Sequence, residues 1–151
     1  MSNVFADRRQ FMQRFGLEVP LEPNHAPAAL ALWETMLHEE WQEFQEALAA
    51  YRTSRPDAER EVAMAELTAE GVDLLNVISS LLLSQGLPVE EMFAEIHAAN
   101  LRKRVNGQVI RRPDGKILKP EGWQAADKLG VIRRARQMHA PGDATPASPD
   151  A

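Results

Sequence analysis

At 151 residues, 44% hydrophobic and 26% charged, the chain is the size of one soluble globular domain that buries about two-thirds of its unfolded surface, and its composition is too polar for a membrane span. The absence of cysteine excludes disulfides, thiolate metal sites and cysteine nucleophiles, and leaves little to hold zinc. A net charge of −5 disfavours broad electrostatic binding to nucleic acid, although the charge is unevenly spread, with Arg102, Lys103, Arg104, Arg111, Arg112, Lys116 and Lys119 crowding one segment behind the acidic clusters.

Apolar residues recur at helical spacing through most of the chain. Phe5, Phe11, Met12 and Phe15 predict a short first helix that ends near Gly16, and a Pro-containing connector, LEVPLEPNHAP, follows. A second helix opens near Pro27, a residue suited to a first helical position. It runs to about Arg52, with Leu30, Trp33, Leu37, Trp41, Phe44 and Leu48 facing the core. Ser54 and Asp57, flanking Pro56, announce a third helix. Its apolar face is Leu67, Leu74, Leu75, Ile78 and Leu82, and Gly86 is placed to end it. The apolar run LLNVISSLLL is about half the length a bilayer-spanning helix needs and reads as core.

Pro88, Glu90 and Glu91 open a fourth helix expected to extend through Met92, Ile96 and Leu101 to about Val105. From Asn106 to Trp123 short apolar pairs flank the turn signal Pro-Asp-Gly, which predicts a small hairpin or an ordered loop. A last helix is expected over Gln124–Met138, and the Pro-, Ala-, Ser- and Asp-rich tail is expected to be disordered. The expectation is an all-α protein: one domain over 1–138 built on a four-helix-bundle core, with a short hairpin or loop, and a tail over 139–151. No signal peptide is visible in MSNVFADRRQF, which makes a cytoplasmic location the default.

Two helical segments carry clustered acids: Glu39, Glu40 and Glu43 in HEEWQEFQEAL, then Glu70 and Asp73 in AEGVDLLNVIS. In a helix Glu39 and Glu43 lie nearly in line, Glu40 is rotated by roughly 100°, and Glu70 and Asp73 share a face. Glu-rich faces are often merely solvated. Here, however, Trp41 and Phe44 interleave the first cluster, and Val72, Leu74 and Leu75 surround the second, so neither lies on a cleanly polar face. Packing two such faces together costs several kcal/mol per unpaired ion unless a hard cation such as Mg2+ sits between them. Gly71, between Glu70 and Asp73, either allows close approach of a neighbouring helix or ligand or is simply tolerated.

The order EExxE, spacer, ExxD on adjacent helices resembles the all-α nucleoside triphosphate pyrophosphohydrolases, a superfamily that includes MazG, the dimeric dUTPases and phosphoribosyl-ATP pyrophosphohydrolase. Asn100, Lys103 and the stretch RRPDGKILKPEGW are similar to the segment that follows the fourth helix in MazG-like members, so the likeness spans roughly residues 30 to 123. The resemblance implies a four-helix-bundle core of that type and Mg2+-dependent hydrolysis between the α and β phosphates, with Mn2+ as a substitute. By resemblance Glu40, Glu43, Glu70 and Asp73 are metal ligands, Glu39 either binds metal or orients the attacking water as a base, and Asn100, Lys103 and Lys119 contact substrate. It also implies a homodimer or homotetramer acting on a nucleoside triphosphate; the charge and composition above add the expectation of no nucleic-acid and no membrane partner.

Overall likeness points to dUTP, cleaved to dUMP and pyrophosphate in nucleotide-pool house-cleaning, although no single residue carries that preference. The alternatives are a broad dNTP or phosphoribosyl-ATP pyrophosphohydrolase and a non-catalytic helical module whose acidic faces bind a basic protein. Phe11, Phe15, Trp33 and Trp41 could stack on a base, but aromatics at helical spacing are more often core. Asn76, one turn beyond Asp73, could face the same cleft.

Overall fold

The computed structural model describes residues 3–138, and the tail expected after His139 lies outside the described residues. The elements are α1 (Val4–Arg14), α2 (Pro27–Thr53), α3 (Asp57–Ser84), α4 (Val89–Leu101), β1 (Arg104–Val105), β2 (Gln108–Val109) and α5 (Lys128–Met138). The protein is mostly helical and has the all-α fold expected from its apolar periodicity. Its backbone contacts group into two compact units, divided between Val89 and Glu90.

In the first unit each helix boundary has a local cause. Asn3 caps α1, its side-chain oxygen accepting from the Phe5 N–H at 3.0 Å. That helix closes at Gly16, whose φ of +68° suits a residue without a side chain. Pro27 begins α2 at a position where its missing N–H costs nothing. α3 opens with Asp57 and Glu59 in its first turn, and the Glu59 carboxylate accepts from the Arg55 N–H at 2.9 Å.

α3 stops at Gly86 (φ +61°), where the Leu87 N–H reaches back to the Leu82 carbonyl at 3.2 Å. A Cβ there would lie 2.0 Å from the Glu22 carbonyl oxygen. Buried Gln85 ties this end of α3 to the start of α2: its side chain accepts from the Ala26 N–H at 2.9 Å and donates to the Ala26 carbonyl at 3.2 Å.

With only three residues between them, α2 and α3 pack along each other, and α1 lies on α3. Met12, Trp33, Val77, Leu83 and Val89 form the buried core, supported by Phe5, Leu17, Met36, Leu37 and Leu82. Trp33 is therefore core. Three buried serines on α3 meet their hydrogen-bonding needs within the helix, Ser79, Ser80 and Ser84 donating to the Leu75, Asn76 and Leu81 carbonyls.

Several apolar positions expected to face the core do not. Trp41 is 49% exposed, Leu75 57% and Ile78 39%, because each long helix buries only the stripe that meets its neighbour, and these residues lie beside it. α3 is also long and apolar enough to cross a membrane by length and composition alone. In this fold it is the helix on which α1 and α2 pack.

In the second unit α4 ends at Leu101 rather than near Val105. Asn106 (φ +50°) and Gly107 (φ +79°) make a two-residue turn that pairs Arg104 with Val109 and Val105 with Gln108. The Pro-Asp-Gly segment makes a second turn, bridging Arg111 to Ile117. α5 begins at Lys128, later than Gln124, because Asp127 caps it: its carboxylate accepts from the Gly130 N–H at 2.9 Å.

Candidate metal centre

Glu40 and Glu70 occupy core positions of their helices. Glu40 lies seven residues from buried Trp33 on one side and from buried Ala47 on the other. Glu70 stands in the same relation to buried Ala63 and Val77. Two turns of helix bring each glutamate onto the stripe where α2 meets α3, so both residues are partly buried.

One oxygen each from Glu40, Glu43 and Glu70 lies within 4.8 Å of the others. Glu39 and Asp73 stand outside this trio. Asp73 is nonetheless close enough for its charge to act on both Glu40 and Glu70, and Glu39 acts on Glu40. Desolvation first, then the charges of Glu43, Asp73, Glu70 and Glu39, hold the Glu40 carboxyl above its ordinary range. Glu70 is raised in the same way, by partial desolvation and then by Glu43, Asp73 and Glu66. Glu46 and Glu66 extend the acidic lines by a turn, and Glu46 accepts from Gln42 instead, at 3.0 Å.

Among the described residues, the side-chain carboxylates of Glu39, Glu40, Glu43, Glu70 and Asp73 have no hydrogen-bond or ion-pair partner, unlike Asp114 and Asp127, which pair with Arg112 and Arg134. Converging carboxylates that repel one another and lack a protein cation suit a hard, oxygen-seeking divalent ion. Glu40, Glu43 and Glu70 are the residues that would hold it. Gly71, beneath this cluster, faces the Phe44 ring of α2. A Cβ there would sit 3.6 Å from Phe44 Cε2, an ordinary contact, so packing does not require the missing side chain.

Sequence reasoning missed Arg8. Its Nε donates to the Ser80 hydroxyl, its guanidinium lies 4.1 Å from the Phe11 ring centroid, and the charge of Asp73 reaches it. Arg8 lies in the short charged run Asp7-Arg8-Arg9, which by itself reads as solvated surface, so the one available signal was its place on α1, three residues before Phe11.

The substrate-contact residues expected downstream form their own group within the second unit. Lys103 Nζ donates to Asn100 Oδ1 at 2.7 Å, and the ammonium groups of Lys103 and Lys119 lie 5.9 and 4.6 Å from the Trp123 ring centroid. Trp123 is anchored by its indole N–H on the Ala99 carbonyl at 2.8 Å. It organises the pair of cations, a role the aromatic count did not reveal.

A pair of antiparallel-connected helices whose facing core positions carry unpaired, converging carboxylates places the protein among the all-α nucleotide pyrophosphohydrolases. The match is more particular than that. Residues 8–100, from α1 to the end region of α4, fit the family model for phosphoribosyl-ATP pyrophosphohydrolase, and the chain belongs to that family. A comparison with curated proteins returned no match. The family is typically metal-dependent, in keeping with the acidic cluster.

Proposed function

We propose that the protein is a Mg2+-dependent nucleotide pyrophosphohydrolase that cleaves between the α and β phosphates, with Glu40, Glu43 and Glu70 as its metal ligands and Asp73, outside that trio, joining them once an ion is bound. The observation that carries the reading is the meeting of Glu40 and Glu70, at core positions of α2 and α3, with Glu43 on the exposed side, without a protein counterion. A bound divalent ion would neutralise phosphate oxygens and lower the pKa of water at the site.

The chain's own residues supply the rest. Glu39, on the exposed side of α2 beside the trio, orients the attacking water and takes its proton. Asn100, Lys103 and Lys119 bind phosphate oxygens as donors, the two ammonium groups being held by Trp123.

The family match favours phosphoribosyl-ATP as the substrate. dUTP rests on overall likeness to MazG-like proteins alone, with no residue behind it. A cytoplasmic, homo-oligomeric enzyme accords with the family and with the apolar residues exposed on α2 and α3. Pyrophosphate release measured on phosphoribosyl-ATP, dUTP and the common dNTPs, with and without Mg2+ or Mn2+, tests the proposal. Metal-dependent release from one of them is expected, whereas no release from any would leave the non-catalytic helical module as the better account.

A further inference from the structure

No cation pairs with Glu40, Glu43 or Glu70, yet one basic side chain stands beside the fifth acid of the set. Asp73 lies three residues from Glu70 and three from Asn76, so on α3 it stands between the carboxylate trio and the face that α1 covers. On that face Val72 and Asn76 share a groove with Arg8, and one turn further the buried Ser80 hydroxyl accepts from Arg8 Nε. At 1.5 Å per residue, about 10 Å of helix separates Ser80 from Asp73. The two side chains shorten that span to one over which charges act without touching. Arg8 makes no ion pair among the described residues, and the charge of Asp73 is felt at its guanidinium. The Asp7 carboxylate also lines the groove, but the charge that acts on Arg8 is that of Asp73.

The guanidinium is fixed where it stands. The Phe11 ring lies 4.1 Å from its central carbon and the buried Trp33 ring 5.8 Å away, while Phe15 backs Phe11 with ring centroids 4.5 Å apart. Burial among these rings disfavours the charge, and Asp73 offsets part of that cost. A side chain that served only as a brace between rings would do so at lower cost without a charge. A partly buried charge is also screened less than a solvated one, so it reaches further.

We propose that Arg8 is a positioning residue of the metal centre: a fixed counter-charge that steadies the acidic cluster in the metal-free protein and, through the same charge, lowers the affinity of the cluster for a divalent cation. The inference rests on the metal-site reading above and adds to it a residue from a third helix. Glu40, Glu43 and Glu70 attract a cation by their mutual repulsion. Arg8 works in the opposite direction, by giving Asp73 a resident positive neighbour that any incoming cation must share.

The test is calorimetric titration of the full chain with Mn2+, paired with melting curves in excess EDTA, each at low and at high salt. Arg8→Met removes the charge and keeps most of the aliphatic stem. It is expected to bind Mn2+ about fivefold more tightly than the wild type at low salt, a gain that shrinks as salt rises. In EDTA the same variant should melt below the wild type, by more at low salt than at high salt. Arg8→Lys, which keeps the charge and loses the planar fork, should bind Mn2+ as the wild type does. Arg8→Gln, which keeps a donor for Ser80, repeats the measurement should the Met variant not fold. Mn2+ binding that is unchanged or weaker in the neutral variants overturns the proposal. So does a Lys variant that gains as much as the Met variant, or a loss of melting temperature that salt does not alter, since either would make Arg8 a brace alone. A wild type that binds no Mn2+ removes the metal-site reading, and this inference falls with it.

Discussion

Gly71 offers a clean separation of packing from ligand access. It lies inside α3 between Glu70 and Asp73, where glycine costs a helix about 1 kcal/mol relative to alanine. Its φ is not in the left-handed region, and an added Cβ meets only the Phe44 ring, at 3.6 Å from Cε2 and 3.9 Å from Cδ2. Those are ordinary contacts, so no strain offsets the gain in helix propensity. Gly71→Ala is therefore expected to stabilise the protein by up to about 1 kcal/mol, raising Tm by roughly 2–4 °C for a chain of this size. Scanning calorimetry of the metal-free protein reads the shift, and pyrophosphate release on the same preparation should be unchanged. A lower Tm would refute the packing argument. A higher Tm with lost activity would show that the methyl group blocks substrate.

Other expectations follow from the same geometry. Because Glu40 and Glu70 are both raised, the folded state holds their protons more tightly than the unfolded chain does. Their stabilising contribution is present at acid pH and is lost as pH rises from the ordinary carboxylate range, about 4.3, through the raised values. Melting curves of the metal-free protein should show that decline, Glu40→Gln should flatten it, and Mg2+ should oppose it near neutrality; equal slopes for wild type and variant would contradict the coupling. Gly86→Ala combines a left-handed backbone with a Cβ 2.0 Å from the Glu22 carbonyl, and should cost about 2–4 kcal/mol in chemical denaturation. Sedimentation should show a dimer or tetramer, since Val72 at 50% exposure and Leu75 at 57% lie uncovered on α3. Leu75→Glu should shift it toward monomer, and a monomeric wild type would end that proposal.

Much of the helical framework was legible because its punctuation is local. Pro27, Gly16 and Gly86 set boundaries through their own backbone preferences, without help from the rest of the fold. Errors arose where a stronger local signal was passed over. Asn106-Gly107 is a better turn former than the apolar spacing of α4 is a helix extender, and Asp127 starts α5 by capping it.

Trp41 misled because periodicity gives a face its direction but not its width. The acidic residues were found by motif, yet the seven-residue spacings Trp33–Glu40–Ala47 and Ala63–Glu70–Val77 already placed two of them in the core stripe. Arg8 and the groove beside it depend on α1 lying against α3, a tertiary fact that no spacing within either helix encodes.

Direct titration with Mn2+, followed by calorimetry, reaches the central claim that Glu40, Glu43 and Glu70 form a metal site. The wild type should bind Mn2+, and Glu40→Gln and Glu70→Gln should each weaken that binding sharply while the protein stays folded. Mn2+ binding that is absent in the wild type, or unchanged in both variants, would contradict the account.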